Sequence, residues 1–146
     1  MRKKVFVDTD IIYDLLAERD PYYLAAARLF TLADEGKVQI FISALSLANI
    51  HYLISKQQSA NEAKQILRKF KVLVHVTPLN EKIIDLALNS EFSDFEDAIQ
   101  YFSALQNNIE ILLTRNLKDY KRAQISVMTA KAFVETLNPT PGPEVK

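Results

Sequence analysis

Apolar positions along this chain alternate between short contiguous runs and longer stretches with helical spacing, the marks of strands and helices in turn. Val5-Phe6-Val7, a β-branched and aromatic run, predicts a strand, and beyond Asp8-Thr9-Asp10 the residues Ile11, Ile12, Leu15 and Leu16 recur at helical spacing. Pro21 suits the first turn of a second helix that stops near Gly36 and turns Leu24, Ala27, Arg28 and residues 30–32 inward. Residues 38–42 predict the next strand, and Ser43 is placed to cap a helix carrying Leu47, Ile50, Leu53 and Ile54 inward. A further helix spans about residues 61–70, and residues 72–76 alternate as a third strand.

In the second half, Leu79 and Ile84 form a staple around an Asn80 cap, opening a helix that runs to about Ser90. Ser93 and Glu96 match the Ser-x-x-Glu capping box, and Phe95, Ala98, Ile99, Phe102 and Leu105 make so wide an apolar stripe that the next helix should be buried. Residues 109–113 predict a fourth strand, residues 125–128 a short fifth, and residues 130–137 a closing helix. Strands alternating with helices predict an α/β/α sandwich around a mainly parallel sheet of about five strands, as one domain over residues 1–137. Residues 138–143 hold three of the five prolines, so residues 138–146 are expected to be a flexible tail.

Composition narrows the chemistry. At 146 residues, 49% hydrophobic and 25% charged, the chain is long and apolar enough for a sizeable core and is not of the disordered class. The absence of cysteine excludes disulfides and thiolate metal sites. Lys+Arg and Asp+Glu both number 18, a net charge of zero, so a polyanion must be held by a local patch. The basic start Met1-Arg2-Lys3-Lys4 is followed by an apolar run that stops at Asp8, too short for a leader or membrane span, which predicts a cytoplasmic protein without membrane attachment. With Gly36 alone inside the folded region, neither a phosphate-cradling P-loop nor a Gly-rich dinucleotide turn can be built. His51 and His75 lie far apart and lack partners at ligand spacing, so they read as packing or surface residues.

Ligands of open parallel sheets sit beyond the carboxyl ends of the strands, and the acids gather there. Asp8 directly follows the first strand, with Asp10 the better placed of the two to cap the following helix. Asp94 and Asp97 share one face at the start of the buried helix. Asp94 is favoured there by the helix dipole alone, whereas Asp97 lies deeper among apolar neighbours and needs a donor or a cation. Thr114-Arg115-Asn116-Leu117-Lys118-Asp119 follows the fourth strand. Three separated segments with Asp at strand exits or helix starts suggest an all-oxygen site for Mg²⁺ or Mn²⁺. Arg115, Lys118, Lys121 and Arg122 flank it, as positioning of a phosphodiester backbone requires. Lys64, Arg68 and Lys71 form a second basic face, equally well read as solvated or as nucleic-acid binding.

These segments resemble the PIN domain, a nuclease fold of toxin–antitoxin ribonucleases and RNA-processing enzymes. Val5-Phe6-Val7-Asp8-Thr9 resembles its first motif, and Ile42-Ser43 with Ser46-Leu47-Ala48-Asn49-Ile50 its second. Asp94-Phe95-Glu96-Asp97-Ala98-Ile99-Gln100 resembles the third, and Thr114-Arg115-Asn116-Leu117-Lys118-Asp119-Tyr120 the fourth. The order is right and nearly the whole chain is covered, most like the small stand-alone, toxin-like PIN proteins. The resemblance implies a metal-dependent ribonuclease acting on RNA, as a homodimer and with a small antitoxin protein as partner. It implies Asp8, Asp97 and Asp119 as catalytic and metal-binding residues, Asp94 as a supporting ligand, and Thr9, Asn49, Thr114 and Asn116 as polar lining. Arg115 and Lys118 would clamp the substrate backbone.

Two positions depart from the family pattern: Asn49 stands where Glu is usual, and Asn116 where Asp is often found. Fewer carboxylates weaken a hard-metal site, which leaves open a catalytically weakened PIN fold that binds RNA or an antitoxin. Val5-Phe6-Val7-Asp8-Thr9-Asp10 also fits the opening motif of haloacid-dehalogenase-type phosphatases, but the later Gly-Asp metal motif of that family is missing. The early helices carry Leu15, Leu16, Tyr22, Tyr23, Leu29 and Phe30, more apolar surface than one core is expected to cover, which also points to self-association or a partner.

Overall fold

The strand Lys3–Val7 (β1) is the centre of the molecule, because Val5, Phe6 and Val7 are all fully buried and their alternation supplies both faces of a sheet. In this computed structural model, which describes residues 2–120 and 123–137, four more strands join it: Val38–Ser43 (β2), Val74–Thr77 (β3), Ile111–Leu113 (β4) and Ser126–Met128 (β5). The order is β3-β2-β1-β4-β5 and every pairing is parallel, with Val5 opposite Ile40 and Val7 opposite Leu113. The helices are Thr9–Leu16 (α1), Tyr23–Asp34 (α2), Ala44–Gln57 (α3), Ala60–Phe70 (α4), Glu81–Leu88 (α5), Phe95–Gln106 (α6) and Ala130–Leu137 (α7). Val5 and Val7 face the larger core, made with α1, α2, α3, α4 and α7. Phe6 faces the smaller one with Tyr101, Ala104, Leu112 and Tyr120, and α5 packs outside α6 through Ile83, Ala87, Ala98 and Ile99. The predicted α/β/α layering and five-stranded sheet are therefore present.

Local differences have local causes. Pro21 stays in the turn before α2, and the face that α2 buries is Ala26, Leu29 and Phe30, with Leu24 and Arg28 outside; each residue of offset at a helix start rotates the assignment by about 100°. Leu29 and Phe30 are thereby in the core and Leu15, Leu16 and Tyr23 half-buried, so one core covers most of the apolar surface that looked excessive. Lys71–Leu73 forms a single 3₁₀ turn, which leaves Val72 83% exposed and delays β3 to Val74. Ile109 is buried but not in a strand: α6 closes with Asn108 in the left-handed region (φ +57°), and the Ile109 N–H bonds back to Ala104. The expected tail, residues 138–146, and Lys121 and Arg122 lie outside the described residues. Among the described residues no helix is long and apolar enough to cross a membrane.

Phe6 joins the sheet to the side chains under Tyr120, so Phe6→Ala should remove support from both. The expected loss is about 3–5 kcal/mol in urea unfolding, against less than ~0.5 kcal/mol for Val72→Ser at an exposed site. A loss below ~1 kcal/mol for Phe6→Ala would deny Phe6 that role.

Candidate functional site

From β1 the chain builds outward through β2 and β3, then crosses back to lay β4 on the other side, so the carboxyl ends of β1 and β4 border a topological switch point. A cleft of about 400 Å³ opens there. Asp8, Asp10, Asp94, Glu96, Asp97 and Asp119 all line it, with Thr9, Asn49, Gln100 and Asn116 between them and no lysine or arginine among the described lining residues. Three segments distant in sequence, the β1 exit, the start of α6 and the turn after β4, are thus brought together as the acid pattern predicted.

Asp8 is 6% exposed, and its carboxylate is saturated with donors. Oδ1 accepts from the Thr9 N–H at 2.7 Å and Gln100 Nε2 at 3.2 Å, and Oδ2 accepts from Thr114 Oγ1 at 2.8 Å and the Tyr120 hydroxyl at 3.2 Å. Burial raises its pKa above the usual carboxylate range, with the donors Thr114, Thr9 and Gln100, Thr114 foremost, working in the other direction. Asp8, not Asp10, is the cap of α1, because the residue at the strand exit is the one with extended backbone and a side chain turned to the first free N–H. Asp10 instead accepts from Asn116 Nδ2 at 2.8 Å.

Gln100 holds the floor of the cleft. Its Nε2 reaches Asp8, Thr9 Oγ1 at 3.1 Å and Ser46 Oγ at 2.7 Å, while its buried Oε1 has no hydrogen-bond partner. Presenting the amide oxygen to Asp8 instead would set two acceptors against each other, so the carboxylate fixes the amide's orientation. Ser46 is held in turn by Thr9 at 2.7 Å and by Ser43, the cap of α3.

Asp97, half-buried, is pushed up to about 7 by burial first and then by the charges of Asp94, Asp8 and Asp119, against a hydrogen bond from Tyr120. The Tyr120 hydroxyl lies 3.2 Å from Asp8 and 3.3 Å from Asp97, and burial between two carboxylates drives its own pKa far upward, so it stays a neutral donor. Asp119 stands exposed on the rim. Asp94 is the cap of α6, its Oδ1 accepting from the Asp97 N–H at 3.0 Å, and it takes the place expected for Ser93. Glu96 is consequently not folded back into a capping box; it reaches across to α3 and accepts from Asn49 Nδ2 at 2.8 Å.

Of the remaining predicted residues, Thr9, Asn49 and Asn116 line the cleft and Thr114 lies beneath it against Asp8. Arg115 does not line the cleft: its Nε lies 2.9 Å from the buried Asp14 carboxylate and its guanidinium 3.9 Å from the Tyr22 ring centroid, in a neighbouring cavity. Asp14 is 1% exposed, and a buried acid without a cation is costly, so it captures the nearest arginine. Lys118 is exposed and outside the lining. Sequence reasoning missed Gln100, Tyr120, Ser46 and Glu96. Gln100 had a signal, since it lies one helical turn beyond Asp97 within an otherwise apolar stripe.

Among the described residues no three His, Asp or Glu side chains are drawn together tightly enough to cage an ion directly. Mg²⁺-type ions keep several waters and need only one or two direct carboxylates, so the donor set, all oxygen, fits such an ion held largely through water.

The family model described as the PIN domain matches residues 4–118. Ribonuclease VapC1 of Aquifex aeolicus is 25% identical over 140 residues, covering 93% of this chain and 96% of the relative. The fold is shared with VapBC2 from Rickettsia felis, solved bound to a promoter DNA fragment (TM-score 0.63, 23% identity, 86% of this chain and 96% of that one). It is also shared with VapC20 of Mycobacterium tuberculosis, described as a sarcin–ricin loop cleaving toxin (TM-score 0.59, 18% identity, 74% and 86% covered).

The raised Asp97 has a thermodynamic signature. Its unfolded value is 3.8 and its folded value about 7, so between these the unfolded chain ionises first and the group makes stability fall as pH rises; above about 7 the penalty is complete. In EDTA, Asp97→Asn should therefore raise Tm by a few degrees at about pH 8, more than at about pH 5. An equal shift at both pH values, or a fall, would remove the assigned cause.

Proposed function

The chain belongs to the PIN domain family, and from that premise we propose that it is a divalent-metal-dependent endoribonuclease, the toxin of a cytoplasmic toxin–antitoxin pair. The observation that carries this reading is Asp8, buried at the switch point and aimed by four donors beside an Asp97 with elevated pKa, in a cleft whose charged lining, among the described residues, is acidic alone. The likeness to a ribonuclease over nearly the full length supports RNA as substrate. Relatives of the same fold solved as toxin–antitoxin complexes support a small antitoxin partner. A catalytically silent binding module is not favoured, since each amide at a departing position is paired with an acid lining the same cleft.

Asp8 and Asp97 would hold the cation, Mg²⁺ or Mn²⁺, with Asp119 and Asp94 contributing through water. When bound, that ion supplies Lewis-acid polarisation of a phosphoryl oxygen and acidification of a nearby water. The protein's own part is positional. Thr9, Thr114, Gln100 and Tyr120 fix the Asp8 oxygens, so no reorganisation is needed at that point during reaction. Asp119, exposed on the rim of the cleft, would orient the attacking water. Lys118 is the remaining described cation of the fourth motif for the substrate backbone, because Arg115 is engaged by Asp14.

Purified protein should cleave single-stranded RNA in Mg²⁺ or Mn²⁺ and fall silent in EDTA. Asp8→Asn and Asp97→Asn should each lower the rate by about 100-fold or more, by the usual cost of losing an electrostatic anchor. Full activity in both variants would overturn the assignment, and cleavage persisting in EDTA would overturn the metal dependence. Light scattering should return twice the monomer mass, the proposed homodimer using exposed apolar residues such as Leu24 and Tyr22; a concentration-independent monomer mass would reject it.

A further inference from the structure

Glu96 lies in the first turn of α6, where an acid is favoured by the helix dipole and would ordinarily extend into solvent. Here solvent is also the electrostatically favoured direction, because Asp8, Asp94, Asp97 and Asp119 already crowd the cleft with like charge. Among the described residues no lysine or arginine pairs with Glu96 to offset this. It is nevertheless held at the cleft by Asn49, whose Nδ2 on α3 donates to Oε1 across 2.8 Å. That contact requires an amide at one end and a carboxylate at the other. A second acid at position 49 would repel Glu96, and an apolar residue would release it. The far wall repeats the arrangement, with Asn116 Nδ2 holding Asp10 Oδ2 at 2.8 Å. In both pairs the amide comes from one element and the acid from another, and all four side chains line the cleft.

We propose that Glu96 is a positioning carboxylate of the cation site, delivered by Asn49 so that its negative charge organises the water around a bound divalent ion. This rests on the metal-dependent reading given above. It removes the apparent deficit at position 49, because the charge absent from α3 is supplied by α6 and turned toward the same space. The Asn49–Glu96 bridge also ties α3 to the start of α6, so the orientation of this acid depends on both helices.

The test is calorimetric titration of Mn²⁺ into the metal-free full chain, with circular dichroism as the check on folding. Glu96 is exposed, so Glu96→Gln should fold normally while weakening Mn²⁺ affinity about tenfold, as removal of an outer carboxylate commonly does. Asn49→Ala, which frees the acid without deleting it, should weaken affinity less. The exchange variant Asn49→Glu with Glu96→Gln restores one amide and one carboxylate in reversed places, and should recover most of the lost affinity. Wild-type affinity in Glu96→Gln, or no recovery in the exchange variant, would overturn the proposal while leaving the metal site standing. No Mn²⁺ uptake by the wild type would instead overturn the metal-dependent reading, and this inference with it.

Discussion

Everything around the cleft answers one requirement: a carboxylate placed at the end of the central strand, shut away from water, must be given donors. A polar group buried without partners costs several kcal/mol, roughly, and an ionised one more. Asp8 meets this with donors from four places: its own helix start, α6 through Gln100, the β4 exit through Thr114 and the following 3₁₀ turn through Tyr120. Those elements lie up to 112 positions apart in sequence, so satisfying one side chain fixes how α1, α6 and the post-β4 turn meet. The parallel pairing of β1 with β4 adds the backbone contribution, the Asp8 N–H donating to Leu113 O at 2.9 Å.

The electrostatics then divide into two layers. Beneath the cleft the groups touching Asp8 are neutral: an amide, two hydroxyls and a backbone N–H. Around the rim stand the acids, and Asp97 among them is lifted to about 7 by its burial first and then by the charges of Asp94, Asp8 and Asp119. A protein of zero net charge thus concentrates negative potential in one place, where a polyanion approaches only with a cation between. Beside the cleft, Asp14 holds Arg115 against Tyr22 and thereby steadies the turn that carries Asn116.

How much of this was legible before any coordinates depends on the range of the forces involved. The strand-and-helix rhythm, the parallel sheet and the placement of Asp8, Asp97 and Asp119 at one cleft follow from local periodicity and from the rule for strand ends. Helix starts were less secure, because capping is decided by which side chain meets the free N–H. Asp8 caps where Asp10 was expected and Asp94 where Ser93 was, so Glu96 lost the partner a capping box would have given it. Tyr120 gave no sign as a site residue because its Asp8 partner lies 112 positions upstream, and the faint signal of Gln100 went unread because its Asp8 and Thr9 partners lie at least 91 positions upstream. The Arg115–Asp14 pairing was hidden for a similar reason: nothing near Arg115 in sequence announces Asp14, which is brought to it by the packing of α1.

Tyr120 carries one hydroxyl hydrogen and faces two carboxylate oxygens at nearly equal distance, 3.2 Å and 3.3 Å. It can donate to one of them at any instant, and whichever acid is left unserved is the better base. The proton inventory of the cleft therefore belongs to the Asp8–Tyr120–Asp97 unit and not to any single side chain. In the metal-free protein, a titration followed at either aspartate therefore traces the macroscopic behaviour of the coupled group.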